Sequence, residues 1–227
     1  VSSEPLRGDF SRLEIVHTDA EPWVESPSRG VSRKRLDRVG PTEAGRVTSV
    51  VRYAPGSHFP EHPHPDGEEI LVLSGVFSDV RGDHPPGSYL LNPEGFTHAP
   101  GSEPGCELFV KLRQYPGLDR PSVCLHTTEM AWQPYVTDGV DRIDLYRSET
   151  HPESMHLLRL APGTTVPSVE LTGGEELFVL DGSFEDEHGS YRRHSWVRYP
   201  AGTRHTPRSD AGCTLYVKKN HLKIDAP

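Results

Sequence analysis

Cysteine is scarce in this chain: three residues in 227, Cys106, Cys124 and Cys213, with no C-x2-C spacing. An odd count without paired spacing favours reduced thiols over a disulfide framework. Long apolar runs are missing as well. Apolar residues make up 33% of the sequence, and no window approaches the roughly 18 that a spanning helix needs. The first residues show no basic segment followed by an apolar stretch. A membrane is therefore excluded as a partner, and the expected location is cytoplasmic. Positive charge is short too: 24 Lys and Arg face 33 Asp and Glu, for a net charge of −9. That excludes nucleic acid, whose backbone demands a basic footprint. Nucleophile-elbow, phosphate-loop and dinucleotide fingerprints do not occur. Helix signals are absent, and 21 glycines with 22 prolines favour many short strands joined by turns.

What is present is histidine, 13 in all, and one stretch concentrates it. Residues 56–75 read Gly-Ser-His-Phe-Pro-Glu-His-Pro-His-Pro-Asp-Gly-Glu-Glu-Ile-Leu-Val-Leu-Ser-Gly. Pro60, Pro63 and Pro65 forbid a helix, since each lacks an N–H and clashes with the preceding turn. In an extended chain, residues i and i+2 share a side, so His62 and His64 face together, roughly 6.6 Å apart along the strand. Two imidazoles so placed can converge on one ion, each with a bond of about 2 Å. Glu68 follows a Pro-Asp-Gly turn that can return it to the same face. Glu69 points to the opposite face by alternation. Downstream, Gly87-Ser-Tyr-Leu-Leu-Asn-Pro93-Glu-Gly95-Phe-Thr-His98 reads as strand, tight turn, and a fourth donor, His98.

Together these stretches meet every position of the paired signature G-x5-H-x-H-x3-E-x6-G and G-x5-P-x-G-x2-H. They resemble the cupins, and the wider wording around Gly67–Asp79 and His98–Cys106 is similar to the ChrR-like branch. One departure is Ser102, where an Asn often follows the last His by four residues. The resemblance implies an all-β fold of RmlC-like jelly-roll antiparallel barrels. It also implies one divalent metal held by His62, His64, Glu68 and His98. In the ChrR family a cupin follows an N-terminal zinc-binding anti-sigma module. Residues 1–19 hold no cysteine with which to build one, so only the cupin half carries over and a sigma factor is a doubtful partner.

The unit is written twice. Gly56, Glu68, Gly75, Pro93, Gly95, His98, Cys106 and Lys111 recur as Gly163, Glu175, Gly182, Pro200, Gly202, His205, Cys213 and Lys218, each 107 positions on. Trp23, Gly30 and Leu36 recur 109 positions on as Trp132, Gly139 and Leu145. The expected layout is an N-terminal arm at 1–19, a metal-binding cupin barrel at 20–115 and a linker at 116–128. A degenerate barrel at 129–219 and a tail at 220–227 complete it. The two barrels are expected to pack side by side, burying their strand edges. In the second, Val169 and Leu171 stand where His62 and His64 stand in the first. Glu175 and His205 alone fall short of the three protein ligands of a catalytic site. They are expected to bond to one another, with no metal there. Because they persist without ligand partners, the His62/His64 pair is what makes the metal claim.

Of the other histidines, His58 is expected in an outer or surface role, and His84, His126, His151, His156, His188, His194 and His221 in solvated turns. Cys106 and Cys213 are expected as small packing residues. Parity nominates Tyr53, Ile70, Val72, Phe77 and Phe96 as walls of a small apolar chamber for a small organic ligand, with a homodimer also allowed. The donor set accepts Fe, Zn, Mn, Ni or Co. Three functions follow. One is small-molecule or oxidant sensing with a regulatory role. Another is non-haem iron dioxygenase chemistry on a β-diketone or hydroxylated aryl ketone, with Glu68 as ligand or base. The third is a Zn- or Mn-dependent isomerase or hydrolase.

Overall fold

A computed structural model describes residues 4–222, so residues 1–3 of the expected arm and 223–227 of the expected tail lie outside it. Strands dominate, and the one helical element among the described residues is a 3-10 turn at Thr127–Glu129. The chain divides into two compact units. One takes in Glu21–Glu129 with the chain up to Gly8, and the other Asp9–Ala20 with the chain from Met130 onward.

The first unit is built on a seven-stranded antiparallel sheet. Its order is Val123–His126, Ser88–Asn92, Glu68–Gly75, Cys106–Leu112, Arg46–Tyr53, Val31–Val39 and Val24–Glu25. A four-stranded sheet holds Ser57–His58, Gly101–Ser102, Phe77–Asp79 and Gly82–His84, and His62–Pro63 pairs with Thr97–His98 as a separate ribbon. Alternation in these strands is what makes a core. Val51 and Tyr53, Ile70 and Val72, and Leu108 and Val110 pack with Phe77 into one cluster. Each such side chain contributes roughly 1.5–3 kcal/mol by leaving water. The second unit repeats the order strand for strand: Glu14–His17, Ser195–Tyr199, Glu175–Asp186, Cys213–Lys219, Ser154–Leu160, Thr137–Arg147, Gln133–Tyr135.

The two outermost strands are exchanged between repeats. Glu14–His17, from the first repeat, pairs with Ser195–Tyr199 of the second unit. Val123–His126, from the second repeat, pairs with Ser88–Asn92 of the first. The segments read as arm and linker thus each carry a strand that covers an otherwise open sheet edge. The same side-chain pair fastens both: His17 Nδ1 lies 2.9 Å from Ser195 Oγ, and His126 Nδ1 lies 3.1 Å from Ser88 Oγ.

Gly75, at the end of Glu68–Gly75, and Gly182, within Glu175–Asp186, show why the repeat keeps glycine at this position. Gly75 has φ +72°, and a Cβ there would sit 2.0 Å from the Gly105 carbonyl oxygen; at Gly182 the figures are +71° and 2.1 Å from Gly212 O. No side chain fits so close an approach.

Candidate metal centre

Two strand pairs bring the donors together. His98 stands opposite His62 in the ribbon His62–Pro63/Thr97–His98. Glu68 opens its strand opposite Asn92. The turn that returns Glu68 runs through Asp66 (φ +56°) and Gly67 (φ +74°). A Cβ on Gly67 would come within 2.5 Å of Tyr115 O and 2.8 Å of Asn92 O. The left-handed turn against neighbouring backbone is what lets a carboxylate four residues after His64 come back beside it.

The result is a cluster in which ring nitrogens of His62, His64 and His98 all lie within 4.8 Å of one another. His64 Nε2 and His98 Nε2 are 2.8 Å apart, and each is 3.5 Å from Glu68 Oε2. Donors at bonds of about 2.1 Å from one ion would stand about 3.0 Å apart at right angles and about 3.4 Å apart at tetrahedral angles. His64, His98 and Glu68 stand near the spacing of ligands around one cation, with His62 within 4.8 Å of the other two rings, so the residues present fit a divalent metal.

Neighbouring groups fix how the rings face. His62 Nδ1 lies 2.8 Å from the Pro60 carbonyl, which takes its N–H and leaves Nε2 free. His98 Nδ1 lies 3.4 Å from Asp79 Oδ2, leaving its Nε2 for the cluster. Asn92 Nδ2 donates to Glu68 Oε2 at 2.9 Å. Burial, and then the neighbouring His98 and His62, lower the pKa of His64 despite the opposing Glu68, so its ring stays neutral and able to ligate.

Asp79 is the functional residue that the sequence reading missed. Its buried carboxylate also meets His84 Nε2 at 2.9 Å and Arg81 at 2.6 Å. Burial opposes its charge, but hydrogen bonds from His98, Arg81 and His84 outweigh that and hold it far below the usual carboxylate range. A signal existed. Gly75-Val-Phe-Ser-Asp79 recurs as Gly182-Ser-Phe-Glu-Asp186 at the same 107-residue offset. His84 is corrected accordingly, from a solvated turn to a buried partner of Asp79. His58 is exposed. Glu69 faces away from the cluster but is buried there, accepting from Tyr89 OH at 2.8 Å.

A cavity of about 280 Å³ opens on the cluster. Tyr53, Ile70 and Phe77 line it, together with Val51, Leu108 and Leu112, while Val72 and Phe96 do not. Val72 is spent in core packing. Phe96 stands behind the site, its ring edge-on to His98 at 5.4 Å and covered by the Arg81 guanidinium at 4.8 Å. The missed walls come from alternate positions of Arg46–Tyr53 and Cys106–Leu112. Burial and then Glu68 push the Tyr53 hydroxyl well above the usual phenol range, so it remains a proton donor. Cys106 and Cys213 are buried, and burial raises both thiols to about 11, so they are inert packing groups at neutral pH.

The second unit replaces the cluster with a charge network. Glu175 Oε1 meets His205 Nε2 at 3.2 Å, and its Oε2 meets Lys219 Nζ at 2.9 Å. Lys219 stands 107 positions after Leu112, a wall of the first cavity. Tyr199 replaces Asn92, lays its ring 4.3 Å from that of His205 and donates to Asp186 at 2.5 Å. Asp186 also holds His205 Nδ1 at 3.0 Å. Burial opposes a charged His205, but the hydrogen bonds it donates to Asp186 and Glu175 raise it to about 9. Glu175 is lowered to about 2, the Lys219 charge and His205 outweighing burial. A built-in ammonium sits beside Glu175, the carboxylate at the position that Glu68 holds in the first cluster. His156 and His221 are corrected too, their side chains being buried rather than solvated.

Matches to the ChrR Cupin-like domain cover residues 11–116 and again 120–223. The chain belongs to that family. Its duplicated, all-β cupin architecture is thereby established. No functionally curated protein matches the sequence. Among solved structures, a protein from Nostoc punctiforme PCC 73102 described as a "putative dioxygenase" superposes with TM-score 0.78 at 16% identity, over 96% of this chain and 88% of that one. Ylba from E. coli does so with 0.73 at 15%, over 96% and 95%. The bacterial pirin YhhW from E. coli, in complex with nickel(II), gives 0.64 at 13%, over 92% and 98%. At such identities these likenesses speak for the cupin fold. No helix among the described residues is long and apolar enough to cross a membrane.

Proposed function

We propose that the first barrel of this ChrR-like cupin is a mononuclear metal enzyme site, and that its reaction is O2-dependent cleavage of a small dicarbonyl or hydroxylated ketone. The observation that carries the proposal is the convergence of His62, His64, His98 and Glu68, three of which, His62, His64 and Glu68, line a largely apolar chamber. When bound, a divalent ion there supplies Lewis-acid polarisation and, as iron(II), redox chemistry toward O2. The remaining tasks fall to the chain. Val51, Ile70, Leu108 and Leu112 hold an apolar substrate and exclude water. Tyr53 is positioned to donate to a substrate oxygen. Of the chamber's two carboxylates, Glu43 is committed to Arg33 and Arg35 at 2.9 and 2.8 Å. Glu68 is left to ligate or to accept the acidic proton between two carbonyls. The "putative dioxygenase" description of one neighbour and the nickel in another accord with this chemistry.

The test is an oxygen electrode with protein loaded anaerobically with Fe(II), against a panel beginning with acetylacetone. Stoichiometric O2 uptake that requires substrate and falls at least tenfold in Tyr53→Phe supports the proposal. Binding of the same compounds without turnover under Fe, Mn, Ni or Zn would move the assignment to the sensing role implied by the family. Turnover without O2 uptake under Zn or Mn would move it to isomerase or hydrolase chemistry.

A further inference from the structure

The second barrel lost two ligands of the cluster yet kept a cavity, about 190 Å³ in volume. A pocket retained only as a relic would be expected to fill with side chains, because interiors close-pack. Its walls are apolar, supplied by Leu158, Leu171, Leu177, Leu215 and Val217. Polar groups are confined to Tyr135 and a set formed by Glu175, His205, Lys219 and His156. That is the make-up of a small-molecule site: apolar walls with a few convergent polar groups.

His156 is the informative member. It lies on the strand Ser154–Leu160, opposite Val217 and diagonal to Lys219 on the adjoining strand. The residue is 4% exposed, and its Nε2 has no hydrogen-bond partner. Burial and then the Lys219 charge hold its pKa down at about 3, so the ring is neutral at physiological pH. A buried polar atom without a partner is costly, and a ligand completing the bond removes that cost. Lys219 has three N–H donors, of which one is accounted for by Glu175. Lys219 and His156, on adjoining strands, both line this one cavity.

The charge balance selects the class of ligand. Lys219 and His205 are cationic, Glu175 and Asp186 anionic, and all four are linked by contacts of 2.9–3.2 Å. The network is already neutral. A carboxylate would add an uncompensated charge beside Glu175 in an apolar chamber, at a large desolvation cost. A neutral acceptor adds none. We propose that the second barrel is a metal-independent binding site for a small neutral carbonyl compound, whose oxygen accepts from Lys219 Nζ and from His156 in its Nε2–H tautomer. No bond is made or broken there. The site is separate from the metal cluster, so the two barrels would each hold a small organic molecule by different chemistry.

The experiment uses the full chain labelled with 15N-histidine, with cyclopentanone as probe and cyclopentanecarboxylate as its charged counterpart. His156 is assigned by comparison with His156→Gln. Cyclopentanone is expected to move the His156 ring-nitrogen resonances saturably, with a Kd in the millimolar range. The carboxylate should bind at least tenfold more weakly. The shift should survive in a His62→Ala/His98→Ala double variant, which separates this site from the metal cluster and from the fate of the proposed enzyme activity. It should be lost in Val169→Trp, a change at a 52%-exposed residue of the cavity wall that leaves the core intact. His156→Leu should weaken binding, read by saturation-transfer NMR, at least tenfold. No saturable shift at about 50 mM ketone, tighter binding of the carboxylate, or a ketone affinity unchanged in Val169→Trp would each overturn the proposal.

Discussion

The charge network of the second barrel makes its stability depend on pH in a direction the structure fixes. His205 is raised from an ordinary 6.5 to about 9 by its bonds to Asp186 and Glu175, against burial. A group whose folded value lies above its unfolded one stabilises fully below the unfolded value, and that contribution is lost as pH rises through the folded value. Between 6.5 and 9, at about 1.4 kcal/mol per pH unit, the loss amounts to about 3 kcal/mol. The other members stay out of this window. Glu175 titrates at about 2 and His156 at about 3. Lys219 is raised above its usual range by Glu175, which burial only partly offsets. Urea unfolding should be followed by tryptophan fluorescence in a Trp23→Phe background with chelator present, so that Trp132 and Trp196 report the second unit alone. Its midpoint should fall steadily from pH 6.5 to 9.5. In His205→Gln the decline should flatten, leaving a protein less stable at pH 6.5 but nearly level thereafter. A wild-type profile that is flat over this range, or a His205→Gln profile as steep as the wild type, would refute the assignment of a charged His205 between two carboxylates.

Asp79→Asn should weaken metal binding 10–100-fold by releasing His98, measured by competition with a chromophoric chelator; the four ligands themselves are untouched. Grafting Val169→His and Leu171→His into the second barrel should not create a metal site while Lys219 remains. Adding Lys219→Leu should create one, raising the metal content by one ion per chain. Gly75→Ala should destabilise the first unit by several kcal/mol in urea unfolding, because the new Cβ would meet the Gly105 carbonyl at 2.0 Å. Gly163→Ala, whose Cβ would meet nothing within 4 Å, should cost only the strain of its positive φ, about 1 kcal/mol.

The ligand spacing and the internal repeat were legible because both are local patterns. Proline excluded the helix, parity put His62 and His64 on one side, and the 107-residue offset disclosed two units. Less legible was whatever depends on long-range pairing. Asp79 looked like one acidic residue among many until the sheet brought it beside His98, although its recurrence as Asp186 was available. Lys219 gave no sign at all, since its meaning comes from standing opposite Glu175 on the neighbouring strand. The strand exchange was hidden for the same reason. Residues 14–17 and 123–126 carry no motif, and only sheet register shows which edge each one covers. Val72 and Phe96 mark where parity alone runs out. It gives the side a residue faces, not its depth along the barrel.

The most direct test of the central claim is metal content by elemental analysis, after loading with excess Fe(II), Mn(II), Ni(II) or Zn(II) and desalting. Wild-type protein should retain one ion per chain, and His64→Leu and His98→Leu none, with the second unit's unfolding transition unchanged in both. Two ions per wild-type chain, or one ion kept after loss of His98, would contradict the account.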